Sequence, residues 1–306
     1  MKFLKKFDNF LFGTKKSQDY TAGSERYGDV LTEEKFNELY EKYCKNHKNS
    51  SIKLYRGVSK TLENFYYQNP KGHIRKSIEE ENIHVILMSE LESWKDFPPY
   101  NQSIIGSTNY QSAKGYGWAG TCFEIIPFDN TKIGICDESS VWESFGGFSN
   151  YAFIRMTDRF LNDLIGKTTH RGVILRNVKS WKDIKEKILN SNFNDVFSDL
   201  LSFQEDSLIF LNYVLEFKTN PNSNHIQNLL MEKKFSYAIG LISSNDIKKI
   251  EPNDIVIFIE KLFEPNNFTH LKYDKKFSTY MERMGIVLQS HLQIWCGGPV
   301  LLKRIY

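Results

Sequence analysis

The spacing of apolar residues changes once along this chain, near residue 181, and that change limits the fold more than any other feature. Before it, apolar side chains alternate in short runs: Ile52-Lys53-Leu54-Tyr55-Arg56-Gly57-Val58, Ser103 to Thr108, Gly120 to Pro127 and Lys132 to Cys136. Alternation puts every second side chain on one face, which is what a half-buried strand requires. His170 to Leu175 is a further candidate strand. After the change, Leu, Ile and Phe recur at helical intervals from Ile184 to Phe217 and from His225 to Ile242. Strands first and helices later predict an α+β fold. Three regions follow: an N-terminal amphipathic segment and linker (1–30), a core (31–180), and a mainly helical region (181–306). The last region closes on Gln293 to Leu302, where Gly297-Gly298-Pro299 reads as the turn of a hairpin returning to the core.

Some segments have two readings. His84 to Met88 and Ile255 to Phe263 are short apolar runs that fit helix or buried strand equally. Thr32 is placed to cap a helix whose apolar face is Phe36, Leu39, Tyr40 and Tyr43. Lys2, Lys5, Lys6, Lys15 and Lys16 are interleaved with Phe3, Phe7, Phe10 and Phe12. Such a helix either lies on a membrane surface or packs its Phe face on the body, and the second is the simpler reading.

Composition excludes several function classes. Of 306 residues, 41% are apolar and 14% aromatic, ample for a core. Forty basic against 37 acidic side chains give a net charge of +3, too balanced for a nucleic-acid coat. No apolar stretch approaches the roughly 20 residues that span a bilayer. The four cysteines form no C-x-x-C pair, and the histidines form no H-x-x-x-H. Free buried thiols in a soluble, intracellular protein without a metal site are therefore expected.

Three elements occur in an order that carries chemistry. Leu54-Tyr55-Arg56-Gly57 comes first. Ser103-Ile104-Ile105-Gly106-Ser107-Thr108-Asn109 follows, with Ala113-Lys114-Gly115-Tyr116 after it. Gly120-Thr121-Cys122-Phe123-Glu124-Ile125 then leads to the acids Asp137, Glu138 and Glu143. Read singly, each has an ordinary use. A strand Arg before Gly is commonly an ion-pair partner, Ser107 or Thr108 would cap the helix from Gln111, and Glu143 would be a solvated carboxylate.

Read together over residues 52–145, they resemble the ADP-ribosyltransferases of the Arg, Ser-Thr-Ser, Glu class. Trp94, Phe97, Pro98 and Pro99 ahead of the Ser-Thr strand, and the Trp295 to Leu302 stretch, are similar to ADP-ribosyltransferase-like proteins of tailed bacteriophages. The resemblance implies a two-sheet core with a mostly helical C-terminal part. It also implies transfer of ADP-ribose from NAD to a macromolecular acceptor, a host protein, in the host cytoplasm or in association with the virion. NAD would be bound by Arg56, Ser107, Thr108 and Tyr116, and Glu143 would be catalytic, with Glu138 the alternative. A guanidinium offers a planar two-pronged contact to pyrophosphate, and a carboxylate stabilises an oxocarbenium-like ribose. The sequence departs from the family at Asn109, where a second Ser is expected, and has no Glu-x-Glu after Ser107. These departures favour a rival reading, a non-catalytic phage binding or virion-associated protein that keeps the fold.

Overall fold

The computed structural model describes residues 28–48, 50, 52–58, 63–72, 83–116, 121–136, 141, 147–165, 180–191, 205–221, 243–267, 270–271 and 292–305. The N-terminal basic segment, the candidate strand 170–175 and the candidate helix 225–242 lie outside these residues. The described chain is a mixed α/β structure built on one antiparallel sheet of nine strands. They are β1 (Asp29–Val30), β2 (Leu54–Val58), β3 (Phe65–Gln68), β4 (Ile104–Ser107), β5 (Thr121–Pro127), β6 (Ile133–Cys136), β7 (His270–Leu271), β8 (Gln293–Cys296) and β9 (Val300–Ile305). Their spatial order is β1-β3-β9-β5-β2-β4-β8-β6-β7.

The sheet has a waist. β2 and β5 are paired over five residues, but β2 and β4 share the single bridge Tyr55↔Ser107. Five strands lie on one side of this bridge and four on the other. The two halves are also the two ends of one ribbon, since β5 pairs with β9 and β6 with β8. The ribbon breaks where residues 128–132 pass residues 297–299. There the Phe128 N–H donates to Pro299 O at 3.1 Å and the Gly297 N–H to Lys132 O at 2.9 Å.

This corrects the expected C-terminal hairpin. β8 and β9 do not pair with each other; each enters a different half of the sheet. The Gly-Gly-Pro link has turn chemistry, but its backbone groups are taken by the 128–132 segment, so the strands separate instead of folding back.

Alternation explains the layers. Leu54, Val58, Phe123, Ile125 and Leu302 from one half pack with Ile104, Ile133, Ile135 and Ile294 from the other in one buried cluster. Helix α1 (Glu33–Tyr43) covers the opposite face of the first half with Phe36 and Leu39, against Tyr67, Ile126 and Leu301. β5 is therefore covered on both faces, which is why it reads as a nearly continuous apolar run. α1 starts where the sequence places it, with Thr32 Oγ1 accepting from the Lys35 N–H at 3.3 Å. Short α2 (Lys45–Lys48) follows.

Helices cover the outer face of the second half. These are α3 (Ile83–Glu90), α4 (Tyr110–Tyr116), which lies at the waist, α5 (Gly147–Ile165), α6 (Trp181–Leu189), α7 (Glu205–Thr219), α8 (Ser244–Ile247) and α9 (Pro252–Leu262). Both ambiguous runs are helices. α3 is apolar nearly all round because it is enclosed by other helices and by Trp295. α9 is started by Pro252 in its first turn and by the Asp254 carboxylate, which accepts from the Glu251 N–H at 2.8 Å.

The texture change near residue 180 marks neither a switch from strands to helices nor the end of a core: α1 to α5 precede it and β7 to β9 follow it. Trp181 N–H donates to Glu90 Oε2 at 2.7 Å, Trp94 Nε1 to Phe263 O at 2.7 Å, and residues from both sides share one cluster.

Candidate functional site at the sheet waist

Arg56 and the Ser-Thr element meet at the waist. Arg56 stands on β2 in register with Phe123, on the side of the sheet that faces the shared apolar cluster. Its Nη1 donates to the Ile105 carbonyl of β4 at 2.8 Å. Gly106 permits this approach. A Cβ there would lie 2.6 Å from Tyr55 O and 2.4 Å from Ile125 Cδ1, so any side chain would push the two strands apart. The Arg56 charge also reaches Cys296 on β8: burial pushes that thiol up to about 12, and the guanidinium opposes the rise.

Ser107 is buried, at 2% exposure, and is in register with Tyr55 on one side and Gln293 on the other. Register partners share a face, so Ser107 projects from the side of the sheet opposite Arg56. Its Oγ accepts from the Asn109 N–H at 3.1 Å. Thr108 closes the β4–β8 ladder. Its N–H donates to Leu292 O at 3.0 Å, and its Oγ1 accepts from the Leu292 N–H at 3.1 Å.

Neither residue caps the following helix, which corrects the simpler reading of them. Asn109 does so, its Oδ1 accepting from the Ser112 N–H at 3.0 Å. The residue that departs from the Ser-Thr-Ser pattern is therefore the N-cap of α4, and Tyr116 is the last residue of that helix.

The structure thus places Arg56, Ser107 and Thr108 on neighbouring strands, with the serine and the arginine on opposite faces. Glu138 and Glu143 lie outside the described residues. Val141, between them in sequence, is described, and its N–H donates to Gln293 Oε1 at 2.6 Å.

Two groups escape a linear reading. Gln293 is one. The other is Glu124, which sequence spacing sets aside as following the Ser-Thr element too closely. Lys303, Glu124, Tyr55, Ser107 and Gln293 form one cross-strand row on the outer face. Glu124 is buried, with His47 Nε2 at 3.4 Å and Lys53 Nζ at 3.6 Å. Burial is the largest influence on its carboxyl and raises the pKa. The contact with His47, the charges of Lys53 and His47, and Lys303 together outweigh burial and hold it below the ordinary 4.5. Burial, then Glu124 and Cys122, push the Tyr55 phenol up. The alternation of β5 shows which way Glu124 points, but nothing local indicates that His47 will meet it.

A depressed carboxyl pKa stabilises the fold above the unfolded value of 4.5, and that contribution is lost as pH falls through the lower folded value. Glu124→Gln is expected to cost on the order of 1–3 kcal/mol at neutral pH. The difference from wild type should shrink in steps below pH 4.5, read by urea denaturation. A difference that stays constant with pH would show that the charge is not responsible.

All four cysteines are buried thiols, as their spacing predicts. Burial pushes Cys122 up to about 11 and Cys44 further still. Among the described residues no helix is long and apolar enough to cross a membrane. No protein-family model matches the chain, and neither a curated protein nor a solved structure matches it.

Proposed function

We propose that this chain binds NAD at the sheet waist and transfers ADP-ribose to a macromolecular acceptor. The observation that carries the reading is the contact between its first two elements. Arg56 donates to the backbone of the Ser-Thr strand, at the point where the two halves of the sheet are joined by one bridge. Halves that share an apolar cluster and are linked so narrowly are read here as two sheets of an ADP-ribosyltransferase-like core.

Arg56 pairs with the pyrophosphate through its planar fork. Thr108 and Tyr116 hold the nicotinamide ribose, and Ser107, buried on the face opposite Arg56, braces the end of its strand by accepting the Asn109 N–H. Glu143, or Glu138, faces the ribose ring as positive charge grows on it. The C–N bond to nicotinamide breaks with its electron pair leaving on the ring nitrogen, and the acceptor's nucleophile bonds to C1′ and gives up its proton. The resemblance to phage proteins makes a host protein the acceptor and the host cytoplasm the place of action, reached by expression there or with the virion.

A second reading has one observation in its favour. The β8 residue in register with Ser107 is an amide, Gln293, and not an acid. On this reading the chain is a phage binding or virion-associated protein that keeps the fold without the chemistry.

Calorimetry with NAD separates the two when combined with labelled NAD and a host lysate. Wild type is expected to bind NAD and to label a protein acceptor. Arg56→Ala should weaken binding by about 10–100-fold, the effect of losing charge-assisted hydrogen bonds. Arg56→Lys should recover only part of it, because an ammonium keeps the charge and lacks the fork. Binding without labelling would support the second reading; no binding by wild type would end the first.

A further inference from the structure

We propose that Arg304 stands with Arg56 as the second arm of a two-arginine site for a diphosphate group, on the inner face of the sheet. Its assignment to NAD rests on the ADP-ribosyl-transfer reading. The two residues belong to one cross-strand row. Phe123 of β5 is in register with Arg304 of β9 on one side and with Arg56 of β2 on the other. Register partners share a face, so both arginines leave the sheet on the side of the shared apolar cluster, with Phe123 between them. Their Cα atoms are two strand spacings apart, about 9.5 Å. Both side chains are half-buried.

Each arginine has a fixed base. Arg304 lies within β9 and not at a loose end: its N–H donates to Asn64 O at 2.8 Å, and Ile305 beyond it is still in register with Cys122. Arg56 is anchored through one of its five N–H donors to Ile105 O at 2.8 Å. Phe123, between them, is 1% exposed, and Tyr66 meets it edge-on at 5.5 Å. The neighbouring row on the same face is apolar on all three strands, with Leu302, Ile125 and Leu54. Two cations thus stand beside an apolar floor, where water screens charge poorly. Their mutual repulsion favours a ligand that brings negative charge between them.

The spacing selects the ligand. One guanidinium fork matches one carboxylate or one phosphate. Two forks separated by a single strand match two linked phosphates, each with an ionised oxygen. On the transfer reading that group is the pyrophosphate of NAD. Arg56 takes one phosphate and Arg304 the other, which fixes the link between the two nucleotide halves.

Calorimetry on the full-length protein with NAD, inorganic pyrophosphate and orthophosphate tests this. Wild type is expected to bind pyrophosphate about 10-fold or more tighter than orthophosphate. Arg304→Ala should weaken NAD and pyrophosphate by about 10–100-fold each, the effect of losing charge-assisted hydrogen bonds, and bring pyrophosphate close to orthophosphate. Arg304→Lys should recover part of the loss, since an ammonium keeps the charge without the fork. A packing defect alone would lower the urea midpoint without singling out the diphosphate. Where the alanine variant loosens β9, Arg304→Gln keeps a polar side chain without the charge and carries the same expectation.

NAD affinity unchanged in Arg304→Ala and Arg304→Gln would overturn the proposal and leave the NAD reading in place. The reverse result is pyrophosphate binding that depends on both Arg56 and Arg304 in a protein that does not bind NAD. The diphosphate site would then stand and the NAD reading would end. A wild type that binds neither ligand would remove both.

Discussion

Glu143→Gln is expected to lower turnover of NAD by about 10²–10³, the usual effect of removing one preorganised electrostatic contact, and to leave NAD affinity nearly unchanged. The carboxylate and the amide have the same shape, so ground-state packing is preserved. On the proposed ADP-ribosyl transfer, what is lost is negative charge beside a ribose that becomes cationic as the bond to nicotinamide stretches, and that loss raises the transition state selectively. Single-turnover kinetics with labelled NAD, beside calorimetry on the same samples, would read both quantities. A fully active Glu143→Gln with an inactive Glu138→Gln would move the role to Glu138 and keep the mechanism. Full activity in both would leave the chemistry without its carboxylate and sink the reading.

Trp295→Ala is expected to destabilise the fold by about 3–5 kcal/mol, the range for removing a large buried aromatic side chain. Trp295 is fully enclosed. Its ring stacks near Phe97, with centroids 6.0 Å apart, and meets Tyr100 edge-on at 5.7 Å. Its Nε1 donates to Pro98 O at 3.0 Å. It also lies over Gly134, where a Cβ would come within 2.0 Å of the ring, so that glycine is part of its seat. Trp295→Phe should recover part of the packing while leaving the Pro98 carbonyl without this donor. Guanidinium denaturation would measure both. A loss below about 1 kcal/mol for the alanine variant would mean that the Pro98-Pro99 loop is held by something else.

The aromatic and proline residues before the Ser-Thr strand are prominent in the sequence, and so is Trp295, yet nothing in the sequence says that they touch. That difference recurs through the molecule. Short runs such as 52–58, which alternates, and 120–127, which is apolar nearly throughout, were legible because a strand's pattern is written locally, and Thr32 announced α1 through its own side chain. β3 was missed: Phe65-Tyr66-Tyr67-Gln68 has no clean alternation, although its aromatic content favours a strand. The Gly297-Gly298-Pro299 turn was seen, but the partners of β8 and β9 were not, since turn chemistry is local and strand pairing is decided by distant segments.

The site divides in the same way. Arg56 and Ser107 were each legible as strand residues, and the fold makes those two strands neighbours. Their opposite faces follow from register, which no local pattern fixes. His47 beside Glu124, and Gln293 beneath Val141, join residues far apart in sequence, and only the folded chain brings them together.

The way β8 and β9 enter separate halves also bears on how the protein is made. Synthesis proceeds from the N-terminus, so β4, β5 and β6 emerge well before the strands that will fill the places beside them. At about 5–20 residues per second, the interval between Cys136 and Gln293 lasts roughly eight to thirty seconds on the ribosome. Throughout it, the edges that β8 and β9 will cover present unpaired N–H and C=O groups on apolar strands, a template for pairing with other chains. Completion of the sheet then depends on contacts of high sequence separation, which form slowly. The last strands act as a closing seam, and until it is in place the nascent chain carries open strand edges.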